Sequence, residues 1–228
     1  MLMVSNFPDI NIYREKICVN TQQKGNFLLP VLIFYMYNIF RKTFFQFDWT
    51  TISLLTNKED FIMAENLNIL KTQEELLQFS RFNHDTAYKL GTFMVNYAQT
   101  HDITIAVSIR MNNGCILFQH CPDGTNLLNQ KWMERKFNTV KLMERSSLLS
   151  ALTFEKDGDT LDTHALSFED YALCGGGFPI RIKGNSTVIG AIISSNLYHI
   201  ADHEFIINCL KEFLNCPEAP NYPYTLPE

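Results

Sequence analysis

The 228-residue chain has no excess of positive charge: 19 Lys and Arg stand against 24 Asp and Glu, a formal net charge of −5. A phosphate backbone demands a large basic footprint, so nucleic acid is excluded as the main partner. None of the six cysteines (Cys18, Cys115, Cys121, Cys174, Cys209 and Cys216) falls in a Cys-x-x-Cys pair. Without that clustering neither a zinc ribbon nor a disulfide framework is expected, and the thiols read as reduced ones in a cytosolic protein. Gly-x-Gly-x-x-Gly, a Gly-Lys-Ser/Thr phosphate loop and a Gly-x-Ser-x-Gly elbow are also missing. Their absence removes the common nucleotide-binding and serine-hydrolase signatures.

Glycine is scarce at the start. Residues 1–62 hold one, Gly25, against nine in the remainder, yet they hold eight of the 18 phenylalanines. Their six Lys/Arg exceed five Asp/Glu, whereas the rest of the chain is acidic. The apolar run Phe27 to Phe40 is 14 residues long and contains Pro30. That is short of the ~20 residues a membrane-spanning helix needs, and too far from the N-terminus for an ordinary signal peptide. Met63-Ala64-Glu65 reads as a natural start. The expectation is therefore a non-native-looking or poorly ordered extension over 1–62, a domain over 63–216, and an extended tail over 217–228.

What is present is a well-stocked core, with 46% hydrophobic against 19% charged residues. Leu76 to Phe82 ends in period-two alternation and reads as a strand. Asn83-His84-Asp85 offers capping side chains, and Ala87, Leu90, Met94, Val95 and Ala98 follow at helical spacing to about Thr100. Ile103 to Arg110 and Cys115 to Cys121 form a hairpin across Asn112-Asn113-Gly114. Pro122 to Asn126 turns into a long helix over Leu127–Leu152, and a short helix is expected around Ser167–Leu173. Phe178–Lys183 and Val188–Ser195 make a second hairpin across Gly184-Asn185, and a last helix carries Phe205, Ile206, Cys209, Leu210 and Phe213. Two hairpins imply one antiparallel, five-stranded α+β sheet with packed helices.

Four places are candidates for chemistry. Gly124 and Thr125 precede the long helix, where free N–H groups favour an anion or simply receive a cap from Thr125 or Asn126. Lys131, Arg135, Lys141 and Arg145, with Asn138, make a basic stripe able to hold propionates or another acidic ligand, or to face solvent or a neighbouring subunit. Cys174, Gly175, Gly176 and Gly177 permit close backbone approach to a ligand or a neighbouring chain, or serve a tight helix-to-strand connection. His199 and His203 would share a face at metal-pair spacing if helical throughout. Asp202 reads as the helix cap instead, which leaves His199 outside, and without a third ligand no metal is expected. His203 is open to a role as acid/base, haem ligand or structural histidine.

Leu76–Phe82 with Asn83–Leu90, Pro122-Asp123-Gly124-Thr125 followed by Trp132 and Arg135-Lys136, Ser146-Ser147, Gly175-Gly176-Gly177-Phe178-Pro179, and Asp202-His203 occur in one order. That order resembles the HbpS/GlcG-like "haem-degrading" family, in a small cytosolic uncharacterised branch, over about residues 67–213. The resemblance implies a profilin- or PAS-like fold, symmetric homo-oligomers, and haem binding, degradation or sensing. The chain departs from the family pattern at Cys174, where the pattern has His, and at Ser195-Asn196-Leu197-Tyr198, where it has Ser-Gly-Leu-Pro. The first reading is a cytosolic, oligomeric small-molecule-binding or sensing domain with a haem-like ligand and no membrane contact for the folded part. The alternatives are a structural or adaptor oligomer, and a haem-degrading or redox enzyme using Cys174 or His203.

Overall fold

The computed structural model describes residues 49–223, with side chains from residue 58 onward. Cys18, the Phe27–Phe40 run and residues 224–228 lie outside the described residues. Helix α1 (Trp49–Leu76) is followed by α2 (His84–Thr100), the hairpin β1 (Ala106–Met111) and β2 (Ile116–His120), then α3 (Leu127–Met143) and α4 (Ser147–Asp157). A 3-10 turn (Asp162–His164), the hairpin β3 (Gly177–Arg181) and β4 (Val188–Ser195), and α5 (His199–Phe213) complete it. The strands form one antiparallel sheet in the order β2-β1-β4-β3.

Helices cover both faces of this sheet. Ile105, Val107 and Ile109 alternate onto one face, where Leu90 and Met94 of α2 and Phe205, Ile206 and Leu210 of α5 bury them. Ala106, Ala191 and Ile193 point to the other face and meet Met133, Phe137 and Val140 of α3. A third cluster joins Leu67 and Leu70 of α1 to Leu148 and Leu149 of α4 and Tyr222 near the C-terminus. Asn83 caps α2 by accepting from the Thr86 N–H at 2.9 Å, and Gly114 makes the first hairpin turn at φ +91°.

Several expectations are corrected. The sheet has four strands among the described residues, not five. Leu77 continues α1 by donating to Gln73, which leaves Phe79 to make a single parallel bridge to Ile182 before Asn83 starts the next helix. The helix expected over Leu127–Leu152 is two helices. Glu144 is left-handed at φ 51°, and Ser146 caps a new helix by accepting from the Leu149 N–H at 3.2 Å. No helix forms over Ser167–Leu173, where a turn held by the Asp170 and Tyr171 N–H groups on the Ser167 carbonyl stands instead.

Residues 217–223 carry no helix or strand and are tied down. Tyr222 N–H and the Asn221 amide both donate to the Glu204 carboxylate, and the Pro220 carbonyl accepts from Gln73 at 2.9 Å. Among the described residues no helix is long and apolar enough to cross a membrane.

Candidate functional site

The start of α3 holds its own caps. Thr125 N–H and hydroxyl both donate to the Pro122 carbonyl, at 3.1 and 2.7 Å. Asn126 accepts from Leu128 N–H, and Asn129 returns the contact by accepting from Asn126 N–H. The N–H groups of Thr125, Asn126, Leu128 and Asn129 are therefore taken up locally.

Residue 202 behaves differently from the expected cap. Helix α5 begins at His199, three residues earlier, and Asp202 sits in its first turn. Its carboxylate lies 2.7 Å from Lys136 Nζ, with both side chains 3% exposed, and Oδ1 accepts from the Leu197 N–H at 3.0 Å. Burial pushes the Asp202 carboxyl up from its ordinary value, while Lys136 pulls it back. Lys136 Nζ also donates to the Ser194 carbonyl at 2.9 Å, and the Ser194 hydroxyl donates to the Asp202 carbonyl. One buried polar clamp thus ties α3, β4 and α5 together.

The three glycines pack against this clamp. A Cβ on Gly176, at φ +103°, would come within 2.6 Å of Lys136 Nζ and 2.8 Å of the Ser194 oxygen. A Cβ on Gly175 would meet the His199 carbonyl at 2.3 Å, and one on Gly177 would meet Val140 and the Ser147 hydroxyl. Their room is filled by the chain's own backbone and side chains.

Both histidines stand on α5, and each ring is turned to its own partner. His199 Nδ1 accepts from the Gly175 N–H at 3.2 Å, and burial lowers its pKa. His203 is fully buried, and Nε2 lies 2.9 Å from Gln73 Oε1. Gln73 spends its amide N–H groups on Glu204 and Pro220, so its oxygen can only accept and the His203 proton sits on Nε2. Nδ1 is buried without a partner, and the ring pKa is lowered to about 3, first by burial and then by His199 and Lys136.

Cys174 is half-buried, and burial pushes its thiol up against the pull of Lys136 and Arg135. A thiolate nucleophile is disfavoured there. Among the described residues no group of three or more His, Cys, Asp or Glu side chains is placed to hold a metal ion.

The basic stripe divides. Lys131 and Lys141 are exposed, and Arg145 turns to the Ser150 hydroxyl at 3.3 Å. Arg135 alone is built into a site. Its guanidinium carbon lies 4.2 Å from the ring centroids of both Trp132 and Phe168. Nε and Nη2 donate to the Tyr171 carbonyl at 3.2 and 3.1 Å. Nη1 makes no hydrogen bond among the described residues, and Phe168 is 69% exposed. The loop that carries Phe168 and Tyr171 is fixed along α3 by Thr139, which bonds the Ala172 N–H and carbonyl.

A haem ligated by His203 or Cys174 does not fit these residues. His203 is fully buried and hydrogen-bonded to Gln73, and burial disfavours a Cys174 thiolate. A cleft of about 270 Å³ lies beside Glu74 and Arg181, and a pocket of about 40 Å³ lies beside His120.

Trp132 and Lys136 stood in the sequence only as motif residues without a role, and Phe168 was not singled out at all. The available signal was a lysine on the face shared by Met133, Phe137 and Val140, where a cation needs a buried partner.

A four-stranded antiparallel sheet covered by helices on both faces, with a clamped Gly-Gly-Gly turn, defines an α+β domain. The HbpS-like family model, described as a haem-degrading protein, matches residues 82–211, and the chain belongs to that family. A UPF0303 protein of Yersinia enterocolitica is 33% identical over 156 residues, covering 68% of this chain and 92% of its own. UPF0303 proteins of Yersinia pseudotuberculosis are 31% identical over the same length. The crystal structure of the Ybr137w protein superposes with a TM-score of 0.60 at 26% identity, covering 65% of this chain and 87% of that one.

Proposed function

We propose that the chain is a non-catalytic binding or sensing subunit whose ligand is a small, flat, carboxylate-bearing molecule of the haem or porphyrin class, docked over Trp132, Arg135 and Phe168. The observation that carries this reading is the sandwiched Arg135 guanidinium with an unspent Nη1. It offers a charge-assisted bond to a carboxylate beside an exposed aromatic platform. Lys131, one turn earlier and exposed, supplies a second cation for a second carboxylate. The family's description as haem-degrading supports the tetrapyrrole class. The raised Cys174 thiol and the sealed, neutral His203 argue against chemistry at either residue.

The same reading takes the functional unit as a profilin- or PAS-like domain over 63–216, acting as a cytosolic homo-oligomer. The exposed free thiols of Cys115 and Cys121 support a reducing compartment.

Titration with haem and with metal-free protoporphyrin IX, followed by absorbance, tests the proposal. Saturable binding of both is expected, weakened about tenfold by Arg135→Gln and unchanged by His203→Gln. Absence of saturation with either ligand would contradict it, as would haem-only binding abolished by His203→Gln.

A second reading, a structural or adaptor oligomer, is favoured by Leu127 and Leu128, 73% and 63% exposed at the start of α3. Light scattering on the wild type and on Leu127→Ser/Leu128→Ser separates the two. Loss of assembly with porphyrin binding intact would place the oligomer contact there.

A further inference from the structure

We propose that the cleft between the C-terminal part of α1, the start of α4 and the β3–β4 turn is a binding site for a small zwitterion of the α-amino-acid class. The cleft has a volume of about 270 Å³. It lies on elements that take no part in the Arg135 site.

Glu74 provides the anchor. The residue is 8% exposed and lines the cleft. Its Oε1 accepts from the Ser146 N–H at 2.7 Å, which adds a partner to the first turn of α4. Oε2 has only Arg181 Nη2 near it, at 3.9 Å, which is beyond a hydrogen bond. Arg181 does not close this gap, because its two terminal nitrogens donate to the Ser186 and Glu144 carbonyls. The second carboxylate oxygen of this mostly buried side chain is thus turned to the cleft with only a long ion pair to Arg181. Burial pushes the Glu74 carboxyl up, against the Ser146 and Arg181 contacts. An ammonium docked on Oε2 would give this carboxylate a hydrogen-bonded cation at closer range than Arg181.

The remaining lining selects the ligand's charge. Lys71 and Arg181 face Glu74 and Glu75, so the formal charges of the cleft cancel. A simple anion or cation would unbalance it, whereas a net-neutral dipolar molecule would not. Lys71 is exposed and makes no ion pair among the described residues, which leaves its ammonium free for a carboxylate. Gln78 donates through Nε2 to the Glu74 carbonyl at 3.3 Å, which leaves its amide oxygen as a second acceptor for an ammonium. Leu149, 5% exposed, supplies an apolar wall for a short side chain. The volume is slightly below that of sites for drug-sized ligands and suits a metabolite of a few heavy atoms.

The test is a titration of the full isotope-labelled chain with L-alanine, glycine betaine, acetate and methylamine, read by backbone amide chemical shifts. L-alanine is expected to give saturable shifts at Ser146, Asn185 and Ser186. Betaine has the same charges but no N–H to donate, and it should bind about tenfold more weakly or worse. Glu74→Gln keeps an acceptor for the Ser146 N–H and should weaken L-alanine about tenfold. Lys71→Ala, a change on an exposed side chain, should weaken it without touching the fold. No saturable shift with L-alanine overturns the proposal. So does an equal response to acetate or methylamine, or unchanged binding in both variants. Arg135→Gln should leave these shifts intact, so failure here and failure of the porphyrin reading are separable.

Discussion

Lys136 Nζ and Asp202 Oδ2 meet at 2.7 Å across 66 positions of sequence, each side chain 3% exposed, and join the middle of α3 to the first turn of α5. A buried pair of this kind contributes modestly as a pair, yet removing one partner leaves the other charge stranded. Lys136→Met should therefore destabilise the fold by about 3–5 kcal/mol, and the double variant Lys136→Met/Asp202→Leu should recover much of that loss. Urea unfolding midpoints at constant slope would measure both.

Gly176→Ala tests the turn that surrounds this pair. The new Cβ would stand at a left-handed φ and within 2.8 Å of Asp202 Cβ and the Ser194 oxygen. Overpacking and backbone strain together are expected to cost about 2–4 kcal/mol. Gly184→Ala, also left-handed but with open space around it, should cost only about 1 kcal/mol. Thermal and urea unfolding of the two variants should keep that order.

His203 sets an acid dependence. Its folded pKa of about 3 lies below the ordinary 6.5, so in that window the folded protein binds fewer protons than the unfolded chain. The stability it contributes is fully present above pH 6.5 and is lost as pH falls toward 3, at about 1.4 kcal/mol per pH unit. Glu74 and Glu204, whose carboxyls burial pushes up, act in the opposite sense and remain in both proteins. The difference between wild type and His203→Gln in unfolding free energy against pH should isolate the histidine. Parallel curves would contradict its buried neutral state.

Thiol reactivity should follow burial. Cys115 and Cys121 are exposed, Cys174 is half-buried with its thiol pushed up, and burial pushes Cys209 up further. Alkylation with iodoacetamide at pH 8, followed by peptide mass spectrometry, should label Cys115 and Cys121 at least about tenfold faster than Cys174.

Local signals in the sequence located the elements that depend on local chemistry. Asn83 caps α2 where its side chain and the following apolar spacing place it, and Asn112-Asn113-Gly114 turns the first hairpin. Elements decided by distant partners were less legible. The break between α3 and α4 rests on one left-handed residue, Glu144, in a stretch whose composition suits a continuous helix. Asp202 is a strong capping residue by type, but Lys136 engages its carboxylate from another helix, and α5 starts earlier. Phe79 alternates like a strand residue, but the six residues around it, Leu77 and Gln78 before and Ser80 to Asn83 after, are all that separate the neighbouring helices. Of the site, Arg135 was readable as part of a basic stripe. Phe168, which completes its sandwich, comes from a loop 33 positions away and left no periodic trace.

Occupancy of the aromatic face is the central claim, and Trp132 reports on it directly. The chain has two tryptophans, Trp49 and Trp132, so Trp49→Phe leaves Trp132 as the one tryptophan to excite selectively. With metal-free protoporphyrin IX, saturable quenching of Trp132 is expected at the same midpoint as the absorbance change, shifted about tenfold by Arg135→Gln. Absorbance that saturates while Trp132 stays unquenched would place the ligand elsewhere and contradict it, as would no binding at all.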